Sequence, residues 1–114
     1  MDHKTVEKYV LSMPNAKLDY PFGESVAVYK SDDKMFALVA ENSDPVRISL
    51  KCDPGLAEVL REKYETVMPG YHLNKKHWNT IVLSGQLNWD DVQALIKHSY
   101  DLVAKTNADL PNFD

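Results

Sequence analysis

Apolar residues recur along the chain with two different periods, and the switches between them divide it into helices and strands. Val6, Tyr9, Val10 and Met13 follow the 3.6-residue helical period, which predicts a helix over residues 2–13. Pro14 and Asn15 end it. Residues 18–23, Leu-Asp-Tyr-Pro-Phe-Gly, break both periods and read as an aromatic loop. β-forming residues then dominate 25–30 and 34–40, and Ser31-Asp32-Asp33 between them reads as a hairpin turn. After a second turn at 42–45, the chain alternates cleanly. Val46, Ile48, Leu50 and Cys52 face one side; Arg47, Ser49 and Lys51 face the other. This pattern predicts an antiparallel sheet with one buried and one wet face.

Asp53-Pro54 is a helix start, with a capping carboxylate and a proline at the first helical position. Leu56, Val59, Leu60 and Tyr64 line the face that follows. A short strand is expected at 66–68, broken by Pro69-Gly70, and a last one at 80–84, ended by Gly85. Asn88 caps the final helix, Asp90 and Asp91 favour its first turn, and Val92, Leu95, Ile96, Leu102 and Val103 form its apolar stripe. Residues 106–114 are expected to fray. The order is α-β-β-β-α-β-β-α. The fold class is α+β in two layers, with helices packed on one face of a largely antiparallel sheet.

Composition keeps this picture and narrows it. A chain of 114 residues suits a single domain over 1–114, and 44% hydrophobic with 26% charged residues is globular composition. One cysteine, Cys52, rules out an intramolecular disulfide, which fits a reducing compartment. The first residues lack the apolar core of a signal peptide, and no apolar run is long enough to span a bilayer. A cytoplasmic protein without a membrane partner is expected.

Charge changes the picture more. The formal net charge is −4, yet no acidic side chain occurs between Glu65 and Asp90. That window holds Tyr71-His72-Leu73-Asn74-Lys75-Lys76-His77-Trp78. The field of the protein should be polarised, with one locally basic patch.

Enzyme chemistry finds no set of residues to carry it. His72 and His77 are five apart, unlike the i,i+4 pair of a helical zinc motif, and no second ligand pair lies nearby. Cys52 precedes a helix start but points inward with Leu50, as an inert core thiol. His98, between Lys97 and Ser99, is expected to face solvent. No glycine-rich phosphate loop is present. Neither a catalytic set, a metal nor a cofactor is expected.

Four segments together resemble the MmcQ/YjbR family of small bacterial proteins, over nearly the whole chain. They are Pro14-Asn15-Ala16, Tyr20-Pro21-Phe22-Gly23, Lys34-Met35-Phe36-Ala37 and, most specifically, His72 through Trp78 leading into Thr80-Ile81. The resemblance implies a "double-wing" fold, similar to a DNA-binding domain of a phage transcription activator, and a DNA-binding role assigned to the family on that similarity. It carries over no catalytic residues.

The residues themselves permit the same role. Lys75 and Lys76 suit phosphate oxygens, and His72, Asn74 and His77 suit phosphate or base edges. Trp78 would position the segment or stack on bases, and Tyr71 could also stack. Arg47 and Lys51 would extend the patch from the wet face of their strand. A weak, salt-sensitive, non-enzymatic DNA-binding protein is the first expectation. The alternative is a protein- or small-ligand-binding module that uses the Tyr20-Pro21-Phe22 loop together with Trp78.

Overall fold

The computed structural model describes residues 2–104. Its elements are α1 (His3–Leu11), β1 (Ala16–Asp19), β2 (Val26–Ser31), β3 (Lys34–Ala40), β4 (Arg47–Lys51), α2 (Pro54–Lys63), β5 (Val67–Pro69), β6 (Trp78–Val82) and α3 (Trp89–Ala104). All strand pairings are antiparallel, in the spatial order β1-β2-β3-β4-β6-β5. This is the expected mixed architecture with one strand more, β1, in place of the start of the aromatic loop. The expected fraying at 106–114 lies outside the described residues.

Local chemistry sets the boundaries. Asp2 Oδ1 accepts the Thr5 amide at 2.8 Å, Asp53 Oδ2 the Leu56 amide at 3.1 Å, and Asn88 Oδ1 the Asp91 amide at 2.8 Å. Each satisfies an amide that its helix leaves unpaired. Asp32 and Asp33 turn the β2–β3 hairpin with φ of 50° and 64°. Two successive positive φ values match the strand twist, and Asp tolerates them.

The helices bury one face of the sheet. Val6 and Val10 of α1, Ala57 and Leu60 of α2, and Val92, Leu95, Ile96 and Val103 of α3 pack with Ile48, Leu50 and Ile81. Two residues assigned to the stripes stay exposed, Val59 at 55% and Leu102 at 42%. Each neighbours an inward position, Leu60 or Val103, and one residue is a rotation of about 100° round a helix.

The opposite face departs from the wet surface expected of it. Val28, Leu38 and Trp78 form a second, smaller apolar cluster, flanked by Val26, Met35 and Leu73. Ser49 is buried there as well, its Oγ 2.8 Å from Thr80 Oγ1. Arg47 stays exposed and Lys51 is half-buried. The strict alternation of β4 is real, but Trp78 stands in register with Lys51 and carries the cover across this face.

Candidate nucleic-acid interface

Residues 70–77 form the loop between β5 and β6. Gly70 starts it, where a Cβ would lie 2.7 Å from Trp78 Cβ and 3.2 Å from Leu73 Cβ. Only glycine lets the start of the loop come so close to Trp78 and Leu73. His72 takes a positive φ of 58°. Asn74 then organises the return: its backbone oxygen accepts from the His77 and Trp78 amides, and its Oδ1 accepts the Lys76 amide at 2.9 Å. Asn74, itself exposed, thus spends its side-chain acceptor on the loop's own backbone.

The rest of the protein grips the loop at several points. Arg61 of α2 donates from Nε to Asn79 Oδ1 at 2.6 Å and from Nη2 to Trp78 O at 3.1 Å and to Lys75 O. Asn79 is buried and also donates to Ala57 O at 3.3 Å. Thr80 Oγ1 accepts the Tyr71 amide at 3.1 Å, and His77 O accepts the Cys52 amide at 2.7 Å. Sequence reasoning missed Arg61. The signal was its spacing: four residues after the buried Ala57, it shares the inward face of α2.

The named residues fall into distinct settings. Lys76 and His72 are exposed, and Lys75 is exposed while its Nζ donates to Gly70 O at 3.1 Å. An ammonium has three donors, so two remain for a ligand. Lys51 pairs with Trp78 across β4–β6 and stands at the loop's base. Arg47 pairs with Val82 at the far end of β4, about 13 Å from Lys51 along the strand. His77 is half-buried, and Trp78 is only 7% exposed. The indole is anchored in the second apolar cluster, which leaves Tyr71, 73% exposed, as the accessible ring. Its centroid lies 4.0 Å from that of His72, with the rings tilted at 55°.

Register also separates the parts of the alternative site. Asp19, next to Tyr20, lies across β1 from Val28, which is in line with Leu38, Ser49 and Thr80. Four strand spacings, about 19 Å, lie between Asp19 and Thr80. Tyr20 and Trp78 lie beyond them towards opposite ends of the strands. The Tyr20 loop and Trp78 therefore do not form one pocket.

Two titratable groups behind the site are buried. Burial, reinforced by the Asp53 carboxylate, pushes the Cys52 thiol up to about 12. Cys52 sits in the main core with Leu50, as its alternation indicated. His98 corrects the solvent-facing expectation. It is 5% exposed, and its Nε2 accepts the Asp53 amide at 3.1 Å. Burial holds its pKa below the usual histidine value, against the opposing pull of Asp53 and Asp101. Among the described residues no group of three His, Cys, Asp or Glu side chains is arranged to hold a metal ion, and no helix is long and apolar enough to cross a membrane.

Among the described residues, fold and site together define a mixed α/β protein: a six-stranded antiparallel sheet, three helices on one face, and a basic loop at one end. Comparison with known proteins gives the family. The YjbR family model matches residues 11–102, and the chain belongs to the YjbR family. It is 34% identical over 101 residues to the uncharacterized protein YbdF of Escherichia coli O157:H7, covering 89% of this chain and 83% of YbdF. It is 36% identical over 93 residues to the uncharacterized protein YjbR of Escherichia coli K12, covering 82% of this chain and 79% of that protein. Among solved structures it is similar to Deinococcus radiodurans DR2400, a DUF419 domain, with TM-score 0.86 and 36% identity over 90% of this chain and 78% of that one. A Pseudomonas syringae protein, structural-genomics target PsR293, matches with TM-score 0.77 and 31% identity, over 90% of this chain and 99% of that one. None of these names carries an enzymatic activity.

Proposed function

We propose that the protein is a non-enzymatic nucleic-acid-binding protein, with DNA as its ligand, that uses the β5–β6 loop as a rigid cationic contact. One observation carries the reading. Lys51, Arg61, Lys75 and Lys76 gather at one end of the sheet, and none of them is in an ion pair among the described residues. Unpaired cations held at fixed positions release counterions when they meet phosphate. The grip of Arg61, Asn79 and Thr80 means the loop has little freedom left to lose on binding.

Lys75 and Lys76 contact the phosphate backbone, and Lys51 extends the track. The exposed His72 and Asn74 side chains offer further polar contacts. Trp78 and His77 position the loop, and stacking falls to Tyr71, because a base stacks only on a ring it can reach. Arg47 contributes only if the nucleic acid crosses the sheet.

Binding of labelled duplex and single-stranded DNA at several salt concentrations tests this. The wild type should bind at low salt. The Lys75→Ala/Lys76→Ala variant should lower the slope of log affinity against log salt by about 1 to 2, since each phosphate contact contributes about 0.7 to 0.9. Absence of binding at low salt, or an unchanged slope, rejects the reading.

A further inference from the structure

The opposite edge of the sheet carries a different surface. β1 is outermost there. Leu11, Leu18, Tyr20 and Phe22, all within residues 11–22, are exposed at 38%, 37%, 41% and 62%. An open groove of about 390 Å3, lined by Asn15, Lys17, Leu18 and Asp19 among others, lies along the strand.

The direction of the free backbone groups follows from the register. The Glu41 amide donates to Ser25 O at 2.9 Å, so the odd-numbered positions leading into β2 address β3. Backbone groups alternate in direction along a strand. Val28 and Lys30 therefore address β1, where they meet Asp19 and Lys17. Leu18, of the other parity, turns its N–H and C=O outward. Its neighbours of like parity agree: the Ala16 amide goes to Met13 O at 3.1 Å and the Tyr20 amide to Asp19 Oδ1 at 2.8 Å, neither to β2.

We propose that this edge is a self-association surface, on which two copies of the chain pair β1 to β1, antiparallel about a two-fold axis at Leu18. The two Leu18 residues exchange their outward N–H and C=O groups. Asp19 already faces Lys30 of its own chain at 3.6 Å but keeps a side chain 61% exposed; Lys17 of each copy then stands opposite Asp19 of the other, so both cross-strand pairs join opposite charges. Leu18 is in register with Tyr29 of the main core, which sets Ala16, Leu18 and Tyr20 towards the helices and Lys17 and Asp19 on the other face. Pairing therefore continues an apolar row on one side and a charged row on the other. Charged residues on an edge strand ordinarily discourage pairing. Here the order Lys-Leu-Asp is self-complementary in the antiparallel sense, which selects a second copy over an unrelated strand.

Charge exchange between two chains tests the proposal. Wild type should sediment as a reversible monomer–dimer system at concentrations up to about 1 mM, where even a small interface is populated. Lys17→Asp and Asp19→Lys should each weaken association about tenfold, since each sets like charges opposite one another twice. An equimolar mixture of the two variants, checked for wild-type circular dichroism, should associate as wild type does. Protection of the Leu18 amide from exchange should rise with protein concentration. A wild type that stays monomeric throughout, variants that associate normally, or a mixture that fails to recover overturns the proposal. So does protection of Leu18 that is independent of concentration, which means that another part of the same chain holds the edge.

Discussion

The two loops at opposite corners of the sheet differ in how they are held. Residues 70–77 are tied down from α2, from β6 and from the end of β4, and their backbone is closed by Asn74 and Gly70. Residues 20–25 are exposed throughout, and their bonds are few. At the ends, the Tyr20 amide bonds Asp19 Oδ1 at 2.8 Å and Ser25 O accepts the Glu41 amide at 2.9 Å; otherwise the Gly23 amide reaches Tyr20 O and the Tyr20 hydroxyl reaches Glu41 Oε1, both at 3.3 Å. The first loop presents cations on a fixed frame. The second presents aromatic carbon on a loose one. Exposure of a side chain and freedom of its backbone are thus separate properties, and only the first loop combines an exposed surface with a fixed geometry.

That contrast predicts unequal responses to substitution. Arg61→Ala should have the largest effect. It leaves the buried Asn79 Oδ1 and the Trp78 carbonyl without their cationic donor, at a cost of about 3 kcal/mol. Urea unfolding should report it, and exchange of the His77 and Trp78 amides should quicken. A loss below about 1 kcal/mol would mean that Trp78 packing and the Thr80 and Cys52 bonds hold the loop without Arg61.

A smaller effect should appear with acidification. His98 fixes the corner between β4 and α2, from which Cys52 reaches the loop at His77. Its folded-state pKa is depressed, so the unfolded chain takes up a proton first as the pH falls. Stability from this source is full above the unfolded pKa near 6.5 and is lost as the pH falls from there towards the folded value. The slope should reach at most about 1.4 kcal/mol per pH unit, the limit for one proton. His98→Gln, less stable at pH 8, should lose less over the same range. Parallel curves for the two proteins would remove His98 from the account.

The smallest effect belongs to the other loop. Phe22→Ala should change unfolding free energy by less than about 0.5 kcal/mol, because a 62%-exposed ring has little burial to lose. A larger loss would show that the aromatic loop is packed more firmly than its bonds suggest.

The same contrast governs what could be read from the chain. Asp53-Pro54, Asn88 and Asp32-Asp33 act locally, and each marks its cap or turn as expected. The loop stands out in the sequence by its charge. What escaped depends on partners remote in sequence. Asn79 and His98 look like surface residues until Arg61 and the Asp53 amide are brought to them. The apolar pattern points to a last strand at 80–84 rather than Trp78–Val82, because a buried asparagine does not look like a core residue. β1 gives no strand signal, because Lys-Leu-Asp on an edge carries no apolar alternation. Trp78 is conspicuous in the sequence, but no property of the sequence says that Val28 and Leu38 cover it.

Cys52 has a practical consequence. The residue is 4% exposed, its thiol pKa is pushed up to about 12, and its amide is tied to His77 O. An alkylating reagent reacts with the thiolate and must reach it, so it finds this sulfur only in molecules whose β4–α2 corner has come apart. The chain's one cysteine is a built-in clock, and its rate of modification counts how often the support beneath the basic loop opens.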